Sequence, residues 1–263
     1  MKIAVCIKQV PNRDYALSLE SDQQWIREQD LAWEINEFDL YGIEAALQLK
    51  DKFQAEVVVV SLGPQRVTDA LRKALAMGCD RAILINDDRI PLTAPYATAK
   101  VLAEALRRES PDLVITGVQS EDMAYFQTGG IIAELLGMES ASMIVAIEPL
   151  DERRFRLQLE HEGGAHEEIE VELPAVFLVQ TGWNQPRYAS LKGIMMAKKK
   201  PLDTFTLDDL GLTPESLRPA QAQLQWLGLE EPVQETHVEF LEGSPEEIAE
   251  TLLEKLKKEA HVL

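Results

Sequence analysis

The chain has 263 residues, with 26 Lys and Arg against 45 Asp and Glu, and a formal charge of −19. Hydrophobic residues make up 46%, enough for a sizeable core, and the 27% that are charged are interspersed among them, which excludes a disordered chain. So acidic a balance repels phosphate backbones and anionic lipid, which argues against a protein built to coat nucleic acid.

Residues 3–7 open the chain with an apolar run too short for the hydrophobic region of a signal peptide, and they predict a first strand. Further strands are predicted over 56–61, 81–85 and 113–116, each a nearly continuous apolar run of the kind that sheets covered on both faces require. Between them, 40–52, 66–77, 94–109 and 127–136 carry apolar residues at helical spacing, such as Ile43, Ala46 and Leu47, or Val67, Ala70, Leu71 and Ala74. Gly78 and Gly137 stand where helices stop. Strand and helix alternating in this way predict an α/β fold with a mostly parallel, doubly wound sheet.

From residue 143 the pattern turns to strands without helices, over 143–147, 155–159, 167–172 and 176–180, with turns at Asp151-Glu152 and Gly163-Gly164. We read these as a β-meander that extends the parallel sheet with antiparallel strands. Regular structure then thins out. The tail runs to a C-terminal helix announced by Ser244, Pro245 and Glu247, with Ile248, Leu252, Leu253 and Leu256 on one stripe. The expected organisation is an α/β domain over 1–182, a loop over 183–201 and a long arm over 202–263. No apolar run is long enough to span a bilayer, and the cysteines Cys6 and Cys79 form no disulfide framework and no zinc spacing. A reducing, cytoplasmic setting is expected.

In open parallel sheets, ligands bind beyond the carboxyl ends of the strands near the point where strand order reverses. The loops there read Lys8-Gln9-Val10-Pro11, Ser61-Leu62-Gly63-Pro64, and Gly117-Val118-Gln119-Ser120-Glu121-Asp122 followed by Gln127-Thr128-Gly129-Gly130. Glycines beside Ser, Gln and Thr donors at a helix N-terminus suit an anion cradle. Ordinary strand-to-helix turns, with Ser120 or Thr128 capping a helix, are the alternative on the residues alone. Neither a phosphate loop with its lysine nor a Gly-x-Gly-x-x-Gly is present, so triphosphate hydrolysis and a standard nicotinamide site find no support. The histidines His161, His166, His237 and His261 lie outside these loops, and no catalytic nucleophile, acid–base pair or metal site is evident. Arg187, Lys192, Lys198, Lys199 and Lys200 form a basic stretch with Trp183, Tyr188, Leu191, Ile194, Met195 and Met196. It reads as a docking surface for an acidic protein partner, with a nucleic-acid patch and plain solvated charge as alternatives.

Several phrases, in order, carry a resemblance. They are Ile7-Lys8-Gln9-Val10-Pro11, Asn36-Glu37-Phe38-Asp39 with Ile43-Glu44-Ala45-Ala46, Val60-Ser61-Leu62-Gly63-Pro64, and Leu71-Arg72-Lys73-Ala74-Leu75-Ala76-Met77-Gly78. Gly117-Val118-Gln119-Ser120 with Gln127-Thr128-Gly129, Leu173-Pro174-Ala175-Val176, and Asn184-Gln185-Pro186-Arg187-Tyr188-Ala189-Ser190-Leu191 complete the set. To about Leu212 the chain resembles the β subunit of electron-transfer flavoproteins.

That resemblance implies an electron carrier subunit without turnover of its own, in a heterodimer whose redox FAD is held mainly by the α subunit: residues 1–182 would be the nucleotide-binding domain, 183–201 the partner-docking loop, and the arm over 202–263 would pack on the α subunit. It also implies a structural AMP in this subunit, held by Cys6, Asn36, Glu37, Phe38, Asp39 and Leu62 and by Gly117, Gln119, Ser120, Asp122, Gln127 and Thr128. Flavin dehydrogenases would dock on Arg187, Tyr188, Leu191, Ile194 and Met195, with Leu191 as anchor, and electrons would pass to a membrane quinone oxidoreductase or another acceptor. A bifurcating subgroup carries a second FAD in place of the AMP, usually with a Gln-Val-Gly-Pro loop. Here Gln127-Thr128-Gly129-Gly130 resembles the AMP-binding type. The remaining alternative is a nucleotide-binding α/β enzyme acting alone.

Overall fold

The computed structural model describes residues 1–29, 31–218, 226–232 and 238–259. These fall into two units, one comprising Met1–Ser18 with Arg27–Leu227, the other Leu19–Ile26 with Gly228–Leu263.

The first unit is a nine-stranded sheet between helices. Its parallel part is β1 (Lys2–Cys6), β4 (Glu56–Leu62), β5 (Arg81–Ile85) and β6 (Leu113–Gly117). A short antiparallel pair, β2 (Gln9–Pro11) and β3 (Trp33–Ile35), stands apart from the sheet and was not foreseen. The crossover helices are α1 (Glu37–Phe53), α2 (Val67–Met77), α3 (Pro95–Glu109) and α4 (Thr128–Leu136). Because side chains alternate across a strand, the sheet feeds two cores. Ile3, Val5, Val57, Val59 and Ile115 meet α1 and α2, while Ala4, Val58, Val60, Ile83 and Val114 meet α3 and α4. This is the doubly wound arrangement expected.

The sheet continues through β7 (Glu139–Pro149), β8 (Arg154–Glu160), β9 (His166–Glu172) and β10 (Ala175–Val179). With the edge strand β11 (Leu202–Phe205), strand order is β11-β5-β4-β1-β6-β10-β7-β8-β9. The reading of four meander strands needs correction. In this stretch only the β7–β8 and β8–β9 pairs are antiparallel, whereas β10 inserts between β6 and β7 and pairs parallel with both. Its sequence, Ala-Val-Phe-Leu-Val, is buried along its whole length, which is what a strand covered on both faces demands, while β9 alternates and is mostly exposed.

Two further elements occupy residues read as irregular. Leu191–Ala197 form a short helix, α5, and Leu202–Phe205 form β11, the edge strand beside β5. Beyond β11, Leu207, Leu210, Leu212 and Leu217 are buried in the core on the α3 face, so this stretch of the expected arm packs on the sheet.

In the second unit, Leu19 bridges Ile26, and the Leu229 N–H donates to the Gln23 carbonyl at 2.8 Å. Its helix, α6 (Pro245–Lys258), begins as the sequence predicts: the Ser244 hydroxyl accepts from the Glu247 N–H, and the Glu247 carboxylate accepts from the Ser244 N–H. Of the predicted stripe, Leu252 and Leu253 are exposed. His237 and His261 lie outside the described residues. No helix among the described residues is long and apolar enough to cross a membrane.

Candidate functional site

Strand order reverses between β1 and β6, where β1 turns to β4 on one side and β6 on the other. The β1–β6 ladder runs from Ile3↔Leu113 to Val5↔Ile115 and stops. Past that point the strands part, and the first turn of α1 fills the gap beneath the mouth.

Two buried polar residues of that turn organise the rim. Asn36, 1% exposed, precedes α1 but does not spend its side chain capping it. Instead its Nδ2 donates to the Gln119 carbonyl at 2.9 Å and its Oδ1 accepts from the Glu121 N–H at 3.0 Å, while its own N–H donates to the Lys8 carbonyl at 2.9 Å. Asp39, 5% exposed, accepts from the Lys8 N–H at 2.7 Å through Oδ2 and from the Gly117 N–H at 3.0 Å through Oδ1. Burial pushes its carboxyl up to about 7, against those two donors, the Asn36 side chain and the Lys8 charge. Across the top, the Lys8 ammonium donates to Asp122 Oδ1 at 2.7 Å and Ser120 Oγ at 3.3 Å. Glu121 accepts from the Glu37 N–H at the start of α1 and lies 3.7 Å from Arg13, which pairs with Glu37 at 2.8 Å. Three chain segments are thus cross-tied at one end of the sheet.

Glycine is required at two positions. A Cβ on Gly117 would stand 2.5 Å from Asp39 Oδ1 and 2.6 Å from Phe38 Cβ. A Cβ on Gly129, in the first turn of α4, would stand 2.6 Å from Thr116 Oγ1 and 2.7 Å from Leu178. That Thr116 hydroxyl is buried and unpartnered. Nor does a side chain cap α4: Gln127 occupies the cap position and Thr128 the first helical one, so neither Ser120 nor Thr128 is the cap that the alternative reading required. The first N–H groups of α4 have no partner among the described residues, and the helix dipole adds positive potential there. The loop entering α4 holds Ala124 and Phe126 at φ of 49° and 57°, conformations that cost energy for residues with side chains.

The expected nucleotide-site residues therefore come together in part by direct contact. Asn36, Glu37, Asp39, Gly117, Gln119, Ser120 and Asp122 belong to one hydrogen-bonded network. Phe38 lies beside Gly117, and Gln127 and Thr128 open α4. Cys6 ends β1 buried, its thiol pushed up to about 12 by burial and by the Asp39 charge, so it is an inert wall rather than a nucleophile. Leu62 ends β4 half-buried, with Gly63 tied back to the Ile85 carbonyl at 3.0 Å. The sequence offered Lys8 only as the first residue of a candidate loop and Thr116 only as the end of a strand, with no role for either side chain. Lys8 follows the end of β1, and its partner Asp122 is brought across by the fold. Among the described residues no cluster of His, Cys, Asp or Glu could hold a metal ion.

A second surface lies on α5. Tyr188 is 96% exposed, Leu191 83% and Met195 73%, and Ile194 and Met196 are also exposed. They stand on a fixed base. Ser190 caps α5 by accepting from the Gly193 N–H at 3.0 Å, and Gly193 packs against the Ala76 carbonyl at the end of α2, where a Cβ would not fit. The Arg72 guanidinium donates to the Ala197 and Lys200 carbonyls at 2.7 and 2.9 Å, and Lys200 donates to the Leu75 and Cys79 carbonyls at 2.9 and 2.5 Å. Arg187 is spent on Glu44, through two bonds at 2.8 and 3.0 Å, and on Asp51. Of the basic stretch, Lys192, Lys198 and Lys199 remain exposed around the apolar knob.

Comparison with known proteins points one way. A family model described as the electron transfer flavoprotein domain matches residues 24–210. The chain is 37% identical over 226 residues to the electron transfer flavoprotein subunit beta of Methylophilus methylotrophus, covering 84% of this chain and 85% of that one. It is 34% identical over 264 residues to the corresponding subunit of Bacillus subtilis, end to end in both. At 32% over 266 residues, again covering both fully, it matches the caffeyl-CoA reductase-Etf complex subunit CarD of Acetobacterium woodii.

Proposed function

Since this chain belongs to the electron transfer flavoprotein β subunits, electron carriers rather than enzymes, we propose that it clasps one AMP at the β1–β6 mouth, supports an FAD-carrying α subunit and docks flavin dehydrogenases through α5. The observation that carries the nucleotide reading is the uncapped start of α4 above the buried, unpartnered Thr116 hydroxyl. A phosphomonoester there would accept from the N–H groups of the first turn, and glycine at 117 and 129 lets β6 close on Asp39 and Phe38, and α4 on Thr116 and Leu178, which fixes the backbone that would meet it. Asn36 and Asp39 hold the flanking loops in place by their backbones, and so present amides and carbonyls to a base and ribose without lending their own side chains.

The FAD, when bound by the partner, supplies the one- and two-electron chemistry. This chain's part is to fix the partner and receive the donor. Leu191 and Met195, held on a short helix by Arg72 and Lys200, suit an apolar pocket on a dehydrogenase, and the lysines around them suit an acidic rim. The exposed leucines of α6 suit burial against the α subunit. Truncation after Leu227 should then release the α subunit on size exclusion, and full retention would give the arm another role.

Acid extraction of the purified heterodimer tests the cofactor reading. One AMP with one FAD is expected. Two FAD and no AMP would move the chain to the bifurcating type, and FAD alone would overturn a nucleotide role for the mouth.

A further inference from the structure

We propose that Asp39 is a positioning residue that sets the width of the nucleotide mouth, its carboxylate holding the Lys8 and Gly117 N–H groups together across the gap where β1 and β6 part, so that the rim is formed only while that carboxylate is ionised. This rests on the nucleotide reading above and deepens it.

The geometry carries the argument. The β1–β6 ladder ends at Val5↔Ile115, so Lys8 and Gly117 lie just past the last paired residues, and each presents an N–H that the ladder no longer satisfies. One carboxylate answers both, at 2.7 and 3.0 Å, from a helix start where it is buried. The other ties between these loops among the described residues lie farther out: Asn36 joins the Lys8 carbonyl to Gln119 and Glu121, and the Lys8 ammonium reaches Ser120 and Asp122. A buried carboxylate with both oxygens accepting from backbone is retained at a cost in desolvation, and the return is a fixed spacing between two loops.

Protonation removes half of this tie. A carboxylic acid keeps one good acceptor and gains a donor, which faces N–H groups that are donors themselves. One of the two loops is then released. The groups around Asp39 do not substitute for it. From β1 and its loop come the Cys6 thiol, which stays protonated, and the Lys8 ammonium, which is already paired with Asp122. From the β6 loop, Glu121 is turned to the Glu37 N–H and Arg13, and from α1 Glu37 is engaged by Arg13. Because burial brings the carboxyl up to about 7, the change of state falls within a range in which the protein can be studied intact.

The test is AMP affinity by calorimetry on the heterodimer freed of nucleotide, at pH 8 and pH 6, for the native chain and Asp39→Asn. At pH 8 the variant should bind AMP about tenfold more weakly, the effect of one lost charge-assisted hydrogen bond. Between pH 8 and pH 6 the native chain should lose about tenfold more affinity than the variant does. The phosphate of AMP titrates near about pH 6, but equally for both proteins, so the difference belongs to Asp39. Parallel pH profiles would overturn this proposal while leaving the nucleotide site intact. Absence of AMP binding by the native chain at either pH would overturn the site itself. Should the variant not fold, amide exchange in the native, nucleotide-free heterodimer gives the answer: protection at Lys8 and Gly117 should fall from pH 8 to pH 6, and unchanged protection would sink the idea.

Discussion

The mouth between β1 and β6 and the knob on α5 depart in opposite ways from the usual partition of a folded chain. At the mouth, Asn36 and Asp39 are polar and buried; on α5, Leu191 and Met195 are apolar and exposed. Both departures are costly, and in each the surrounding structure is arranged to hold the costly group still. The mouth uses side chains to fix backbone, through Asn36 to Gln119 and Glu121 and through Asp39 to Lys8 and Gly117. The knob uses the reverse scheme, with Arg72 and Lys200 gripping backbone carbonyls so that free side chains are displayed in a fixed pose. If the mouth takes a nucleotide and the knob a protein, as proposed above, the ligand site prepares its main chain and the docking site its side chains.

The sharpest break in the comparison is Gly129→Val. A branched side chain would collide with Thr116 Oγ1 and Leu178 and push α4 off the sheet. Such overpacking costs about 1–3 kcal/mol, and because the displaced element carries the N–H groups of the mouth, AMP retention should be lost altogether while the α5 surface keeps its partner. Purified heterodimer with no extractable AMP and near-native dehydrogenase coupling is the expected result; retained AMP would show that α4 does not hold the nucleotide.

Stability against pH separates the cost at the mouth from its benefit. The carboxyl of Asp39 is raised in the fold from 3.8 to about 7, so the native state binds the extra proton between those values. Stability therefore falls as pH rises through that window and levels above it, by an amount of order a few kcal/mol. Glu109, held down by Arg81, acts with the opposite sign: its contribution is present above the ordinary carboxylate range and is lost as pH falls. Asp39→Asn removes only the first effect. Chemical denaturation should find the variant equal to the native chain near pH 4 and more stable at pH 8, even as its hold on AMP weakens. A variant less stable at pH 8 would make Asp39 an ordinary structural residue.

How far the sequence foretold these two regions depends on how local each is. The parallel strands were legible because a strand covered on both faces writes a continuous apolar run, and α6 because its capping box is contained within Ser244, Pro245 and Glu247. β10 was grouped with the meander because it follows β9 in the chain, although its fully apolar run carried the parallel signal. The helix α5 escaped notice for the same reason that it matters: its apolar side chains face outward and trace no buried stripe, and only Ser190 marked its start. At the mouth, the loops were found from strand order and glycines, but the inward turn of Asp39 was not. Its partner Gly117 is 78 residues away, and nothing short of the fold brings the two together.

The smallest effect on stability belongs to the knob, and it discriminates between display and support. Leu191 is 83% exposed, so Leu191→Ala should leave unfolding free energy within about 0.5 kcal/mol of native, with AMP and FAD content unchanged. If Leu191 fills a pocket on the dehydrogenase, its truncation should weaken coupling by about tenfold, the scale of an interface anchor. Arg72→Met makes the complementary change, since it frees the carbonyls of Ala197 and Lys200 without touching an exposed apolar residue. It should cost about 1–3 kcal/mol of stability and reduce coupling through a loosened helix. Adding Arg72→Met to Leu191→Ala should then reduce coupling little further, because a loosened helix has no anchor left to misplace. Full additivity of the two in electron-transfer kinetics would mean that Arg72 and Leu191 act on separate surfaces, and that α5 is not a single docking element.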